Sequence, residues 1–172
     1  MTIRSVLKKE KQVLGKLMVE VYSSLPGFPT PDEQPEYYKM LANVADLADS
    51  SNTEVLVAVS GEKILGGVVY FSDMAQYGSG GTATQQKNAS GFRLLAVSEE
   101  ARGLGVGKAL TNYCIGKAKT DGNKELIIHT TEAMKLAWGM YEKLGFKRSM
   151  DLDFLQKGFP VFGFRLSLQS HI

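Results

Sequence analysis

The sequence predicts an α/β fold with a mixed sheet, and three features of its pattern carry that prediction. Two β-rich runs, Glu54 to Ser60 and Lys63 to Ser72, are separated only by Gly61 and Glu62, the spacing of an antiparallel hairpin. An apolar strand from Phe92 to Val97 is followed by a helical stripe and then by a second strand from Leu126 to Thr131, a βαβ-like crossover. Two amphipathic stripes precede the hairpin and supply helices to cover the sheet. The chain of 172 residues suits one domain, residues 1–172, with a full hydrophobic core. With 44% hydrophobic and 22% charged residues, it is neither disordered nor fibrous.

From the N-terminus, Thr2 to Val6 alternates as a short edge strand, and Leu14, Leu17, Met18, Val21, Tyr22 and Leu25 share one helical stripe. Pro26, Gly27, Pro29 and Pro31 break that helix. A second helix is expected from Asp32 to Ala48, burying Tyr37, Leu41, Val44, Ala45 and Ala48. After the hairpin, Asp73 to Ser90 holds Gly78, Gly80 and Gly81 without periodicity and reads as an irregular loop, either a functional lid or a connector. Leu110, Tyr113, Cys114 and Ala118 mark the buried face of a third helix, stopped by Asp121, Gly122 and Asn123. Met134, Ala137, Trp138, Tyr141 and Leu144 mark a fourth, with Gly145 as its left-handed cap. β-rich pieces around Phe146 to Phe154 and Val161 to Leu168 close the chain.

Composition removes several function classes. Twenty Lys and Arg against 18 Asp and Glu leave a charge of +2, too little for a dedicated nucleic-acid binder. The short basic cluster Lys143, Lys147 and Arg148 comes with no aromatic readout motif and reads as a solvated face. A single cysteine, Cys114, excludes a disulfide framework and a cysteine-cluster zinc site. It falls on a buried stripe with no partner histidine at motif spacing, so a catalytic thiol is not expected. His129 and His171 are too distant in sequence to suggest a metal site, and no metal is expected. Neither a signal peptide, nor a transit peptide, nor a run of about 20 apolar residues is present, so a cytoplasmic protein with no membrane partner is expected.

The most informative stretch is Val97 to Lys108. A strand passes through Arg102, Gly103, Leu104, Gly105, Val106 and Gly107 into a helix. Glycines let the backbone turn with its N–H groups inward, and a helix start adds roughly half a positive charge, so this geometry suits a pyrophosphate. Arg102 and Lys108 add full charges. A Walker A loop would need glycine at Arg102, and a dinucleotide fingerprint starting at Gly103 would need glycine at Lys108; both fail. What remains is Arg-x-x-Gly-x-Gly from Arg102 to Gly107, after a Leu-Ala-Val strand.

That motif resembles the acetyl-CoA loop of the GNAT superfamily of N-acetyltransferases. Ala137 to Phe146, Ala-Trp-Gly-Met-Tyr-Glu-Lys-Leu-Gly-Phe, is similar to the same family's fourth-helix signature, in the right order and separation. The resemblance covers Phe92 to Arg148. It implies a GNAT-like, mostly antiparallel central sheet of about six to seven strands flanked by about four helices. It also implies transfer of acetyl from acetyl-CoA directly to a primary amine of a small molecule or protein, by a monomer or homodimer.

The resemblance further implies roles for particular residues. Leu95, Ala96 and Val97 would lie along the pantetheine arm, with the Leu95 N–H polarising the thioester carbonyl. Arg102, Gly103, Leu104, Gly105, Val106, Gly107 and Lys108 would hold the pyrophosphate, and Met134 and Ala137 would flank the cofactor. Tyr141 would be the general acid, since a phenol of reference pKa about 10 can protonate a departing thiolate of about 8.5. Many members carry an asparagine where this chain has Met134, which leaves that hydrogen bond to Thr131, Glu132 or backbone. A glutamate that some members place on the fourth strand is here Gly91. Glu20, Asp73, His129 and Glu132 are candidate bases, His129 foremost by its reference pKa near 6.5. Arg93 would orient the acceptor or pair with a carboxylate. The acceptor pocket is expected from the first two helices, around Tyr22 to Tyr38, and the Asp73 to Ser90 loop. The alternative from another class is a catalytically silent CoA-binding sensor or interaction module.

Overall fold

The computed structural model describes residues 1–168; His171 lies outside them. Eight strands and four α-helices follow in the order β1 (Thr2–Ser5), α1 (Lys11–Ser23), α2 (Pro35–Ala42), β2 (Thr53–Ser60), β3 (Lys63–Phe71), β4 (Ala89–Val97), α3 (Val106–Thr120), β5 (Glu125–Thr130), α4 (Lys135–Lys143), β6 (Lys147–Arg148), β7 (Phe154–Gln156) and β8 (Phe159–Ser167). The strand order is β1-β2-β3-β4-β5-β8-β6, with β7 paired to β8 off this path. β4 and β5 run parallel, and the ladders β1–β2, β5–β8, β6–β8 and β7–β8 are antiparallel. The expected mixed, mostly antiparallel sheet is therefore present, with α3 as the crossover between its two parallel strands.

The chain packs as two compact units, Met1–Val69 with Leu94–Thr111, and Tyr70–Arg93 with the chain from Asn112 onward. In the first, α1 buries Leu14, Leu17, Met18 and Tyr22, as its stripe predicts. Gly15 is required by packing, because a Cβ there would stand 2.0 Å from the Ala42 carbonyl oxygen. The second helix is shorter than expected. It ends at Ala42, and a 3₁₀ turn over Val44–Asp49 follows, in which Ala48 is exposed; within the helix Tyr38 is buried and Tyr37 only half-buried. The 3₁₀ segment turns about every 3.0 residues, so a stripe read at 3.6 residues does not carry through it.

In the second unit, β5 is buried through Leu126, Ile127 and Ile128, and Cys114 and Ala118 of α3 are fully buried. Tyr113, expected on that face, is 39% exposed; Thr111, on the part of the same helix that belongs to the first unit, is buried, its hydroxyl donating to the Gly107 carbonyl at 2.8 Å. Trp138 is half-buried, its ring edge-on to Phe162 and Phe164. A polar knot ties this unit: the Tyr70 hydroxyl meets Ser90 Oγ at 2.9 Å and donates to Asp121 at 2.7 Å, while Asn123 donates to Ser90 and to the Ser72 carbonyl. The Asp73 to Ser90 loop is anchored rather than loose. Met74, Tyr77 and Ala83 are buried, and Thr82 donates to the Asp151 carbonyl. The basic cluster is also committed in part, since Arg148 pairs with both oxygens of Asp153 at 2.8 Å and donates to the Gly163 carbonyl.

Candidate functional site

The first unit carries an open strand edge that leads into an open loop. The Ser98 N–H donates to the Leu65 carbonyl of β3 at 2.9 Å. In an antiparallel ladder alternate residues turn both backbone groups to the same side, so Ser98 and Ala96 face β3 while Leu95 and Val97 face away. Gly66 backs this segment closely: a Cβ there would lie 2.6 Å from the Ala96 carbonyl oxygen and 3.1 Å from Val106 Cγ1. Leu94, one residue upstream, has φ +61. A left-handed leucine costs about 1–2 kcal/mol, so the surroundings must hold it. It bends β4 directly before the edge that the sequence associates with a ligand.

Beyond Val97 a 3₁₀ turn, Glu99–Ala101, leads into the glycine loop. Gly103 and Gly105 sit at φ +82 and +79, with no atom within 4 Å of where a Cβ would be. α3 begins at Val106, and its first N–H groups have no acceptor within the helix. Arg102, Leu104 and Lys108 are exposed around this turn, whereas Val106 is buried and pins the helix start. Positive φ without a crowded neighbour means that these glycines are not demanded by packing. They leave backbone donors accessible at a helix N-terminus, a fit to a pyrophosphate group.

The second unit holds the titratable candidates. Tyr141 on α4 is 4% exposed, edge-on to Phe92 at 5.9 Å and Phe146 at 5.6 Å between ring centroids. Its hydroxyl has no hydrogen-bond partner among the described residues. Burial pushes the phenol's pKa well above the ordinary value, so it stays protonated across neutral pH. Thr130 and Thr131, at the end of β5, each bury an Oγ1 that lacks a partner among the described residues. A buried hydroxyl left unpaired costs about 1–3 kcal/mol, and a polar arm of a ligand would satisfy it. Met134 and Ala137 are half-buried on the following turn, and the Met134 N–H donates to the Thr131 carbonyl at 3.0 Å.

His129 is engaged on both ring nitrogens. Nε2 donates to the Leu152 carbonyl at 2.8 Å, which leaves Nδ1 as the acceptor for the Tyr77 hydroxyl at 2.9 Å. Its ring is edge-on to Phe154 at 5.2 Å. Burial lowers its pKa and holds it neutral. The expectation of a free base there meets a different geometry, because the lone pair that would take a proton already accepts one hydrogen bond. Of the other base candidates, Asp73 is exposed and accepts from the Ala75 N–H, and Glu20 and Glu132 are exposed. Arg93 donates to the Tyr77 carbonyl at 2.9 Å and lies over the Tyr77 ring. A Cβ at Gly91 would stand 2.7 Å from Tyr77 Cε1 and 2.8 Å from Met74 Sδ, so Tyr77 fills the place where a longer side chain would project. Sequence reasoning passed over Tyr77, which no local motif marks. Tyr22, expected on the first helix stripe and beside the acceptor pocket, also donates its hydroxyl to the Leu95 carbonyl at 3.1 Å.

Comparison with known proteins bears on the fold and the family. The chain is 36% identical over 55 residues to human N-acetyltransferase 8B, a match covering 32% of this chain and 24% of that protein. The chain thus spans about a quarter of the length of that curated relative. An acetyltransferase of the GNAT family from Staphylococcus aureus Mu50 superposes with a TM-score of 0.73 at 18% identity, over 98% of this chain and 99% of the other. An aminoglycoside 6′-N-acetyltransferase complexed with coenzyme A superposes at 0.68 and 14% identity, over 100% and 99% of the two chains. These likenesses establish the fold. The family model of the GNAT acetyltransferases matches residues 18–146, and the chain belongs to that family.

Proposed function

We propose that the protein transfers acetyl from acetyl-CoA directly to a primary amine, in a ternary complex and without a covalent enzyme intermediate. The observation that carries this reading is the strand edge of Leu95 and Val97 leading into Gly103 and Gly105, two left-handed glycines with open space around them before a helix start. Acetyl-CoA supplies the activated acyl thioester; the chain supplies position, polarisation and a proton. The N–H groups of Gly103 and of Gly105 to Lys108 hold the pyrophosphate, the Leu104 N–H being given to the Ala101 carbonyl, with Arg102 and Lys108 adding charge. The Leu95 and Val97 edge accepts the pantetheine arm as an added strand, and Ala96, Leu104 and Val106 shape the walls.

Thr131 supplies the hydrogen bond that Met134 cannot, and Ala137 leaves room beside it. The Leu95 N–H donates toward the carbonyl oxygen, where negative charge develops. Tyr141, protonated and with an uncommitted hydroxyl, gives its proton to the leaving sulfur. Since the His129 lone pair is engaged, the amine loses its proton to water rather than directly to that ring. No helix among the described residues is long and apolar enough to cross a membrane. The lone buried Cys114 suits a reducing, cytoplasmic setting.

An amine panel covering amino acids, polyamines, amine drugs and protein amines, with release of free CoA as the readout, tests the reading. CoA release with at least one amine supports it. Tight CoA binding with silence across the panel favours instead the CoA-binding module, the reading that Met134 supports.

A further inference from the structure

The tyrosine hydroxyl on the open edge of β4 has no part in the roles assigned so far. Tyr22, on the last turn of α1, is 4% exposed and donates to the Leu95 carbonyl at 3.1 Å. Within one strand residue the N–H and C=O point to the same side, so the group that Tyr22 holds and the Leu95 N–H face the same way, away from β3. Leu94, immediately before, is left-handed at φ +61, a conformation that leucine keeps only where its surroundings fix it. Gly66 presses on the far side of the segment, within 2.6 Å of Ala96 O for a built Cβ. Leu95 is therefore bent by Leu94 and tied by Tyr22, and the next residue, Ala96, is backed by Gly66. Tyr22 is itself braced by rings, with Phe28 at 5.5 Å and Tyr37 at 6.3 Å between centroids.

We propose that Tyr22 is a positioning residue for acetyl transfer: its hydroxyl fixes Leu95 on the open edge of β4 and so aims the Leu95 N–H at the thioester carbonyl. This rests on the acetyl-CoA reading above. Two consequences follow from the arrangement. Polarisation of the carbonyl depends on a residue that never touches it. The aromatic group of Tyr22, Phe28 and Tyr37 is also mechanically joined to the polarising backbone, so a change in that group reaches the acyl carbonyl through one hydrogen bond.

Tyr22→Phe keeps the ring and removes the hydroxyl that makes the tie. With acetyl-CoA labelled by ¹³C at the acyl carbonyl, the wild-type protein should move the bound carbonyl stretch to lower wavenumber than in solution. Tyr22→Phe should show a smaller displacement. Acetyl transfer should slow about tenfold with KM for acetyl-CoA unchanged, less than the 10²–10³ expected when an oxyanion donor is removed outright. A melting temperature close to wild type shows that the fold is kept. An unchanged carbonyl stretch and an unchanged kcat in Tyr22→Phe would overturn the role of Tyr22 and leave the acetyl-CoA reading standing. A wild-type protein that binds no acetyl-CoA would overturn both, through the reading on which the inference rests.

Discussion

Two loops of this protein are rich in glycine, and they use it for opposite ends. In the loop from Arg102 to Lys108, Gly103 and Gly105 are left-handed and nothing lies within 4 Å of a built Cβ. In and beside the loop from Asp73 to Ser90, glycine makes room for neighbours that are already there. A Cβ at Gly80 would meet the Phe154 ring at 2.8 Å, and one at Gly91 would meet Tyr77 and Met74. Open space alone also surrounds turn glycines such as Gly61 and Gly122; what sets Gly103 and Gly105 apart is that they lead directly into the start of α3. A glycine kept where space is filled points to packing. In the proposed function the first loop holds the cofactor, while the second packs around Tyr77 and His129.

Tyr141, a buried side chain whose hydroxyl is uncommitted, provides the largest expected effect. Tyr141→Phe should lower kcat about 10²-fold or more, the range of a lost general acid, while the affinity for acetyl-CoA holds. Unchanged turnover would place Tyr141 with the packing residues. Gly91→Ala comes next. The added methyl must displace Tyr77 or Met74, an overpacking that costs about 1–3 kcal/mol, and calorimetric melting should fall by about 3–9 °C. CoA affinity should not follow; a matching loss of affinity would erase the distinction between the loops.

The smallest expected effect is a pH slope from His129. Burial depresses its folded pKa, so the folded state binds fewer protons than the unfolded one just below the reference value of 6.5. The stability this contributes is present above that value and declines as pH falls toward the folded pKa, by at most about 1.4 kcal/mol per pH unit. Melting temperatures from pH 7 to 5 should show that decline in the wild type and a flatter profile in His129→Asn. Equal slopes would mean that His129 is not held neutral by its surroundings.

What could be read in the chain was local. Arg102 to Gly107 and the Ala137 to Phe146 helix are contiguous motifs, and glycine's backbone freedom is a property of the residue itself, so the loop and its helix were legible without tertiary information. The hairpin at Gly61 and the cap at Gly145, φ +61 and +101, were legible for the same reason. Leu94 was not, because leucine carries no preference for the left-handed region and only its neighbours impose it. Nor was the tie from Tyr22 to Leu95, which joins residues 73 apart in sequence. The engagement of His129 by Tyr77 and Leu152 depends on a loop and on a turn after β6, neither of which has periodicity to read. A reference pKa favoured that histidine as a base, and tertiary packing, which sequence does not display, decided its role.

The most direct test of the account is a calorimetric titration of CoA into the wild-type protein and into Gly105→Val. The valine enters open space, so its only cost to the fold is left-handed strain of about 1–2 kcal/mol. Its branched side chain would stand where the pyrophosphate approaches the backbone. The account predicts that the wild type binds CoA and that Gly105→Val binds at least about a hundredfold more weakly, a difference of about 2.7 kcal/mol. Equal affinity in the two proteins, or no binding by the wild type, would contradict it.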